Sequence, residues 1–130
     1  MGNKQLKLDH IGLIVPDMQK ALKYYQETLG FTVKAHFKSQ YGMEFYYIEN
    51  NGLVYELQAN PNLPIASTNK IDHIAYESKD IKADYEYYKS KGAKFATNGI
   101  GYLDFIWDNG VYFFMMLSDT DEIVEFCQKG

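Results

Sequence analysis

Residues 8–25 read LDHIGLIVPDMQKALKYY, and residues 71–88 read IDHIAYESKDIKADYEYY. Aligned without a gap, Asp9, His10 and Ile11 fall on Asp72, His73 and Ile74. Asp17 falls on Asp80, and Tyr24-Tyr25 on Tyr87-Tyr88. Each half then closes on a matching stretch, YELQ at 55–58 and VEFCQ at 124–128. Self-similarity of this kind means that one supersecondary unit has been used twice.

Working outward from the repeat, the elements follow in the same order in both halves. Leu6–Val15 is β-rich and predicts a strand. Asp17, just after Pro16, is placed to cap a helix, and Met18, Ala21, Leu22, Tyr25 and Leu29 recur at helical spacing until Gly30 stops them. Phe31–Phe37 and Met43–Glu49 predict strands, and Asn50-Asn51-Gly52 is a hairpin signal leading into Leu53–Gln58. Ala59–Lys70, with Pro61 and Pro64, reads as a polar linker. In the second half Ile71–Glu77 predicts a strand and Asp80–Lys91 a helix stopped by Gly92. Ala93–Thr97, Val111–Leu117 and Glu122–Cys127 predict three more strands, with Asn98–Gly110 a loop or a short extra strand. The expectation is a single α+β domain over 1–130 built from two βαβββ modules, about 6–59 and 71–128, joined by a linker at about 60–70.

Composition narrows the function classes. Of 130 residues, 46% are apolar, which is enough for a real core. A net charge of -4 with no basic stripe argues against nucleic acid, whose phosphates require clustered cations. No run approaches the roughly 18 apolar residues of a membrane span, and MGNKQLKLDH does not read as a signal peptide. The single cysteine, Cys127, fits a reducing compartment, so a cytoplasmic protein is expected. All thirteen basic residues are lysine, a bias that AT-rich codons also produce. No site in the chain can therefore clamp a carboxylate with a bidentate guanidinium.

The chemistry concentrates at four positions. A lone histidine in an apolar strand is ordinarily a hydrogen-bonded core residue. Here His10 and His73 hold equivalent places in a repeat. Glu56 in LVYELQ and Glu125 in IVEFCQ each put a carboxylate in an apolar β-rich run. Period-two alternation sets Val54, Glu56 and Gln58 on one face of their strand, and Ile123, Glu125 and Cys127 on one face of theirs. Such carboxylates either lie on exposed sheet faces or, if inward, need a partner. Two carboxylates and two imidazoles form a set that a divalent cation would neutralise, and nitrogen and oxygen donors suit zinc, nickel, cobalt, manganese or iron.

The stretches LDHIGLIVPDMQKALKYYQETLGF, VYEL, IDHIAYESKDI and GVYFFMMLSDTDEIVEF together resemble the vicinal oxygen chelate superfamily of glyoxalases, bleomycin resistance proteins and dioxygenases, most nearly the bacterial glyoxalase I-like members. The resemblance covers nearly the whole chain. It implies paired βαβββ modules whose mixed sheets curl around one divalent ion, nickel or zinc first, with ligands from the first and last strand of each module: His10 and Glu56, then His73 and Glu125. It also implies a homodimer in which metal sites are shared between chains.

By the same resemblance the activity expected is that of a lactoylglutathione lyase-like isomerase acting on a small hydroxy-carbonyl substrate, such as a thiol hemithioacetal of methylglyoxal. A metal-stabilised enediolate would form, with Glu125 as the base and Glu56 as ligand and second base. Glutathione-dependent members hold their substrate's carboxylates with arginine. Here Lys34 or Lys38 would have to serve as point charges, which leaves the thiol open. Ser118-Asp119-Thr120-Asp121 also replaces the Pro-Asp-Gly turn of many relatives. A coenzyme-A thioester epimerase uses the same proton chemistry, and a non-catalytic drug-binding resistance protein is the contrasting class. A ring-cleaving dioxygenase needs a further acid–base histidine; only His36 is spare, and it reads as a surface residue. Tyr46, Tyr47, Tyr102, Trp107 and Phe113 are candidates to line an apolar pocket, with Tyr46, Tyr102, Trp107 and Phe113 taken as substrate contacts. Cys127 reads as a buried, inert thiol.

Overall fold

Asp17 and Asp80 open the two helices in the same way. Asp17 Oδ1 accepts from the Lys20 amide at 3.0 Å, and Asp80 Oδ1 accepts from the Ala83 amide at 3.1 Å. Each satisfies a donor that the first helical turn leaves without an intrahelical acceptor. The computed structural model describes residues 5–60, 71–119 and 122–130. Most of the expected linker, with Pro61 and Pro64, and two residues of the 118–121 turn lie outside the described residues. The described residues form two units, which divide at Asp9/His10 and at Asp72/His73, near the start of the first strand of each module.

The first unit runs β1 (Leu8–Ile14), α1 (Met18–Lys23), β2 (Thr32–Lys38), β3 (Glu44–Asn50) and β4 (Leu53–Ala59). Its strands lie in the order β2-β3-β4-β1, with β1 parallel to β4 and the other pairs antiparallel. The β3–β4 turn is the one its sequence demands. Asn51 and Gly52 take φ of 51° and 85°, the left-handed pair that a two-residue hairpin needs. The expected single helix to Leu29 is corrected: the α-helical part ends at Lys23, and Tyr24–Thr28 forms a π-helical turn. Beyond it the Phe31 amide returns to the Tyr25 carbonyl at 2.9 Å.

The second unit runs β5 (Ile71–Glu77), α2 (Ile81–Ser90), β6 (Lys94–Phe95), β7 (Gly101–Leu103), β8 (Val111–Leu117) and β9 (Ile123–Lys129). β5 is parallel to β9, β9 is antiparallel to β8, and β8 carries both β6 and β7. Among the described residues four strands thus follow this helix. The expected strand at Ala93–Thr97 shrinks to two residues, and the irregular stretch after it supplies β7. Gln128 ties the end of β9 to the start of α2. It accepts from the Ile81 amide at 2.9 Å and donates to the Lys79 carbonyl at 2.9 Å.

In both units the helix covers one face of the sheet. Met18 and Leu22 of α1 bury against Ile48 and Leu57, both fully excluded from solvent. Ile81 of α2 buries against Phe114 and Phe126. Each such side chain contributes about 1.5–3 kcal/mol of transfer free energy. Tyr25 joins the first core edge-on to Tyr55, and burial, with Tyr55 and Tyr24 nearby, pushes its phenol pKa up. Because strand side chains alternate, the residues between these core positions point to the other face of each sheet, and that face carries the histidines and glutamates. Each unit is therefore an α+β layer with one helix-packed face and one face that carries its histidine and glutamate. Among the described residues no helix is long and apolar enough to cross a membrane.

Candidate metal centre

The two parallel strand pairs have the same register. Gly12 of β1 lies beside Glu56 of β4, and Ala75 of β5 lies beside Glu125 of β9. His10 and His73 each stand two residues earlier on their strand, so each shares a face with its glutamate across one diagonal step. In the first unit His10 Nε2 is 3.5 Å from Glu56 Oε2. In the second, His73 Nε2 is 3.1 Å from Glu125 Oε1. Both histidines are 2% exposed, with Glu56 at 6% and Glu125 at 7%, so none of the four lies on a solvated sheet face.

Glu56 is held from two further sides. The Tyr47 hydroxyl donates to Oε2, and Gln58 Nε2 donates to Oε1 at 2.6 Å. Tyr47 is the direct cross-strand neighbour of Glu56, and its ring stands edge-on to His10, with centroids 5.6 Å apart. In the second unit the cross-strand neighbour of Glu125 is Met115. Two residues beyond Glu125, where the first unit has Gln58, stands Cys127. It is buried as expected, and its Sγ lies 3.8 Å from the Tyr76 carbonyl. Among the described residues no buried side-chain nitrogen or oxygen lacks a partner.

The donor chemistry fits a divalent ion. Ligand atoms at about 2.0–2.2 Å from a metal and separated by tetrahedral or octahedral angles lie about 3.0–3.5 Å apart. The two His–Glu separations, 3.1 and 3.5 Å, match that edge length. Each pair offers one nitrogen and one carboxylate oxygen, the donor types of zinc, nickel, cobalt or manganese sites. One pair supplies only about half of the four protein ligands of a closed site.

Of the four expected substrate contacts, Phe113 lies on the face that carries its unit's glutamate. It pairs with Cys127 while Met115 pairs with Glu125, and its ring lies so close over Gly101 that a Cβ there would stand 2.7 Å from it. Tyr46 is on the helix-packed face of β3, where His36 stacks on it at 3.9 Å and bonds Glu44 at 3.0 Å. Its neighbour Tyr47 is the residue on the Glu56 side. Tyr102 is exposed, lies 4.6 Å from Tyr112, and donates to the Asn109 carbonyl at 2.9 Å; alternation carries it to the face opposite Phe113. Trp107 has a positive φ of 61° and lies beneath the Lys129 ammonium at 3.9 Å. Lys34 is turned to Glu49 at 3.8 Å, half exposed.

The importance of Tyr47 had a sequence signal. A two-residue turn at Asn51-Gly52 makes Asn50 and Leu53 the first pair, and counting outward from it puts Tyr47 opposite Glu56.

A family model described as the Glyoxalase/Bleomycin resistance protein/Dioxygenase superfamily matches residues 7–124. An uncharacterized protein of Bacillus subtilis, YwbC, is 28% identical over 127 residues, 95% of this chain and 98% of that protein. Among solved structures, a hypothetical protein from Bacillus halodurans superposes with a TM-score of 0.80 at 23% identity, covering 98% of this chain and 96% of that one. A methylmalonyl-CoA epimerase from Mycobacterium tuberculosis superposes with a TM-score of 0.74 at 19% identity, covering 95% and 88%. At these identities the likeness establishes a shared fold.

The burial of each pair generates a test on the metal-free protein. His73→Leu removes the imidazole that faces the buried Glu125 and is expected to destabilise the fold by about 1–3 kcal/mol, the cost of deleting one partner of a buried polar group. The double variant His73→Leu, Glu125→Leu should recover most of that loss, because the penalty belongs to the buried carboxylate that lost a partner. Urea unfolding of the three proteins checks this, and a double variant no better than the single one would contradict it.

Proposed function

The chain belongs to the Glyoxalase/Bleomycin resistance protein/Dioxygenase superfamily, and on that premise we propose that it is a divalent-metal enzyme that moves a proton at a carbon next to a carbonyl. The observation that carries this reading is the pair of buried His–Glu diagonals at the same register of the repeat. His10, Glu56, His73 and Glu125 are the four ligands, brought together from the two modules of one chain or from modules of two chains in a homodimer. When bound, the ion supplies Lewis acidity for the negative charge that develops on adjacent substrate oxygens.

The residues do the rest. The imidazoles of His10 and His73 serve as neutral donors whose place is set by strand register. Glu125 takes the proton from the substrate carbon and returns it. Return to the neighbouring carbon makes the protein a glyoxalase I-like isomerase of a thiol hemithioacetal of methylglyoxal. With Glu125 as the base, delivery of a proton to the opposite face of the same carbon by a second acid makes it a thioester epimerase. A specific observation favours keeping the second reading: the chain has thirteen lysines and no arginine, so the bidentate clamp suited to glutathione's carboxylates is absent. Phe113, on the Glu125 face, supplies an apolar contact for the substrate.

Two outcomes test this reading. Glu125→Gln, with the parent's fold, should lose 100-fold or more of the activity, since a positioned base typically contributes about 10²–10⁴-fold. The assay compares methylglyoxal adducts of several thiols with a branched acyl-coenzyme A. Activity within about threefold of the parent would remove Glu125 as the base, while tight binding of an apolar drug with no turnover of any substrate would replace the enzyme reading with a sequestering protein. Sharing of sites between chains is tested by refolding His10→Ala and His73→Ala chains together. With shared sites, one site in each mixed dimer carries neither lesion, so about a quarter of parental activity should return. Zero recovery from well-folded, exchanged dimers would place each site within one chain.

A further inference from the structure

The repeat is symmetric in its ligands and asymmetric in what surrounds them. At the position opposite the glutamate, the first unit has Tyr47 and the second has Met115. Two residues beyond the glutamate, the first has Gln58 and the second has Cys127. A phenol and a carboxamide are strong hydrogen-bond donors; a thioether donates nothing and a thiol donates weakly. Both carboxylate oxygens of Glu56 receive one of these strong bonds, Oε2 from Tyr47 and Oε1 from Gln58 at 2.6 Å. Tyr47 is itself immobilised. It is 3% exposed, and its ring is packed edge-on between His10 at 5.6 Å and Phe37 at 6.1 Å.

We propose that Tyr47 and Gln58 are positioning residues that lock Glu56 as a stationary metal ligand. The inference rests on the proposed function, in that it takes Glu56 to be a ligand. Its physical basis is the geometry of one side chain. A ligand that also accepts a substrate proton must rotate away from the ion and back. Rotation of Glu56 about its last bond would break the bonds from Tyr47 and Gln58 together, each a bond to a charged acceptor in a buried site. The same two donors orient one remaining lone pair of Glu56 and pre-organise it for an ion.

The test loads the purified full chain with cobalt(II), whose visible spectrum reports the ligand field. Tyr47→Phe removes only the hydroxyl, and Gln58→Met removes only the amide donor at similar length. Each should weaken cobalt binding by about 10- to 100-fold, the usual effect of deleting a partner of a metal ligand, and shift the visible bands. Met115→Leu, the matching change opposite Glu125, should leave affinity within about twofold and the bands in place. Metal-free melting curves identify any variant that fails to fold; if Tyr47→Phe does, Gln58→Met decides. Parental affinity and an unshifted spectrum in a folded Tyr47→Phe or Gln58→Met overturn the positioning role while leaving the metal site intact. Absence of cobalt binding by the parent overturns the metal reading and this inference with it.

Discussion

A carboxylate cannot be buried in a sheet unless something compensates its charge, and two such carboxylates organise this protein. Glu56 and Glu125 both lie in apolar terminal strands of their modules, and each faces a histidine one diagonal step away on a parallel neighbouring strand. Parallel pairing matters for this. It sets the first strand of a module beside its last, so residues far apart in sequence meet at a fixed register. The helix supplies the connection and covers the other face, where Ile48, Leu57, Phe114 and Phe126 supply the burial that holds the register.

On the proposed reading, duplication supplies what one module lacks. One nitrogen and one carboxylate oxygen are about half of the four protein ligands of a closed site. A repeated module also frees each copy to change around its ligands. Tyr47 and Gln58 hold Glu56, while Met115 and Cys127 occupy the matching positions around Glu125.

Much of this is legible in the amino-acid sequence itself. The alignment of His10 with His73 and of Glu56 with Glu125, the two aspartate caps and the Asn51-Gly52 turn are local signals, and each corresponds to a local cause in the fold. The features that are not legible there depend on tertiary pairing. The π-helical turn at Tyr24–Thr28 leaves no mark in apolar spacing, and β7 exists because β8 offers it an edge. Tyr46 and Tyr47 are adjacent tyrosines, so composition does not distinguish them. Only the hairpin register assigns one to the helix-packed face and the other to Glu56. Tyr102 is an aromatic in a loop-rich stretch, and only the pairing of β7 with β8 sets it beside Tyr112 and on the face opposite Phe113.

The central claim is that two His–Glu pairs form one metal centre. The most direct measurement is an anomalous difference map from crystals grown with nickel. One strong peak is expected within about 2.0–2.2 Å of His10 Nε2, His73 Nε2 and one oxygen from each of Glu56 and Glu125, the two pairs drawn from the same chain or from two. A peak bound by a single His–Glu pair, or no peak at any of the four side chains, would contradict it.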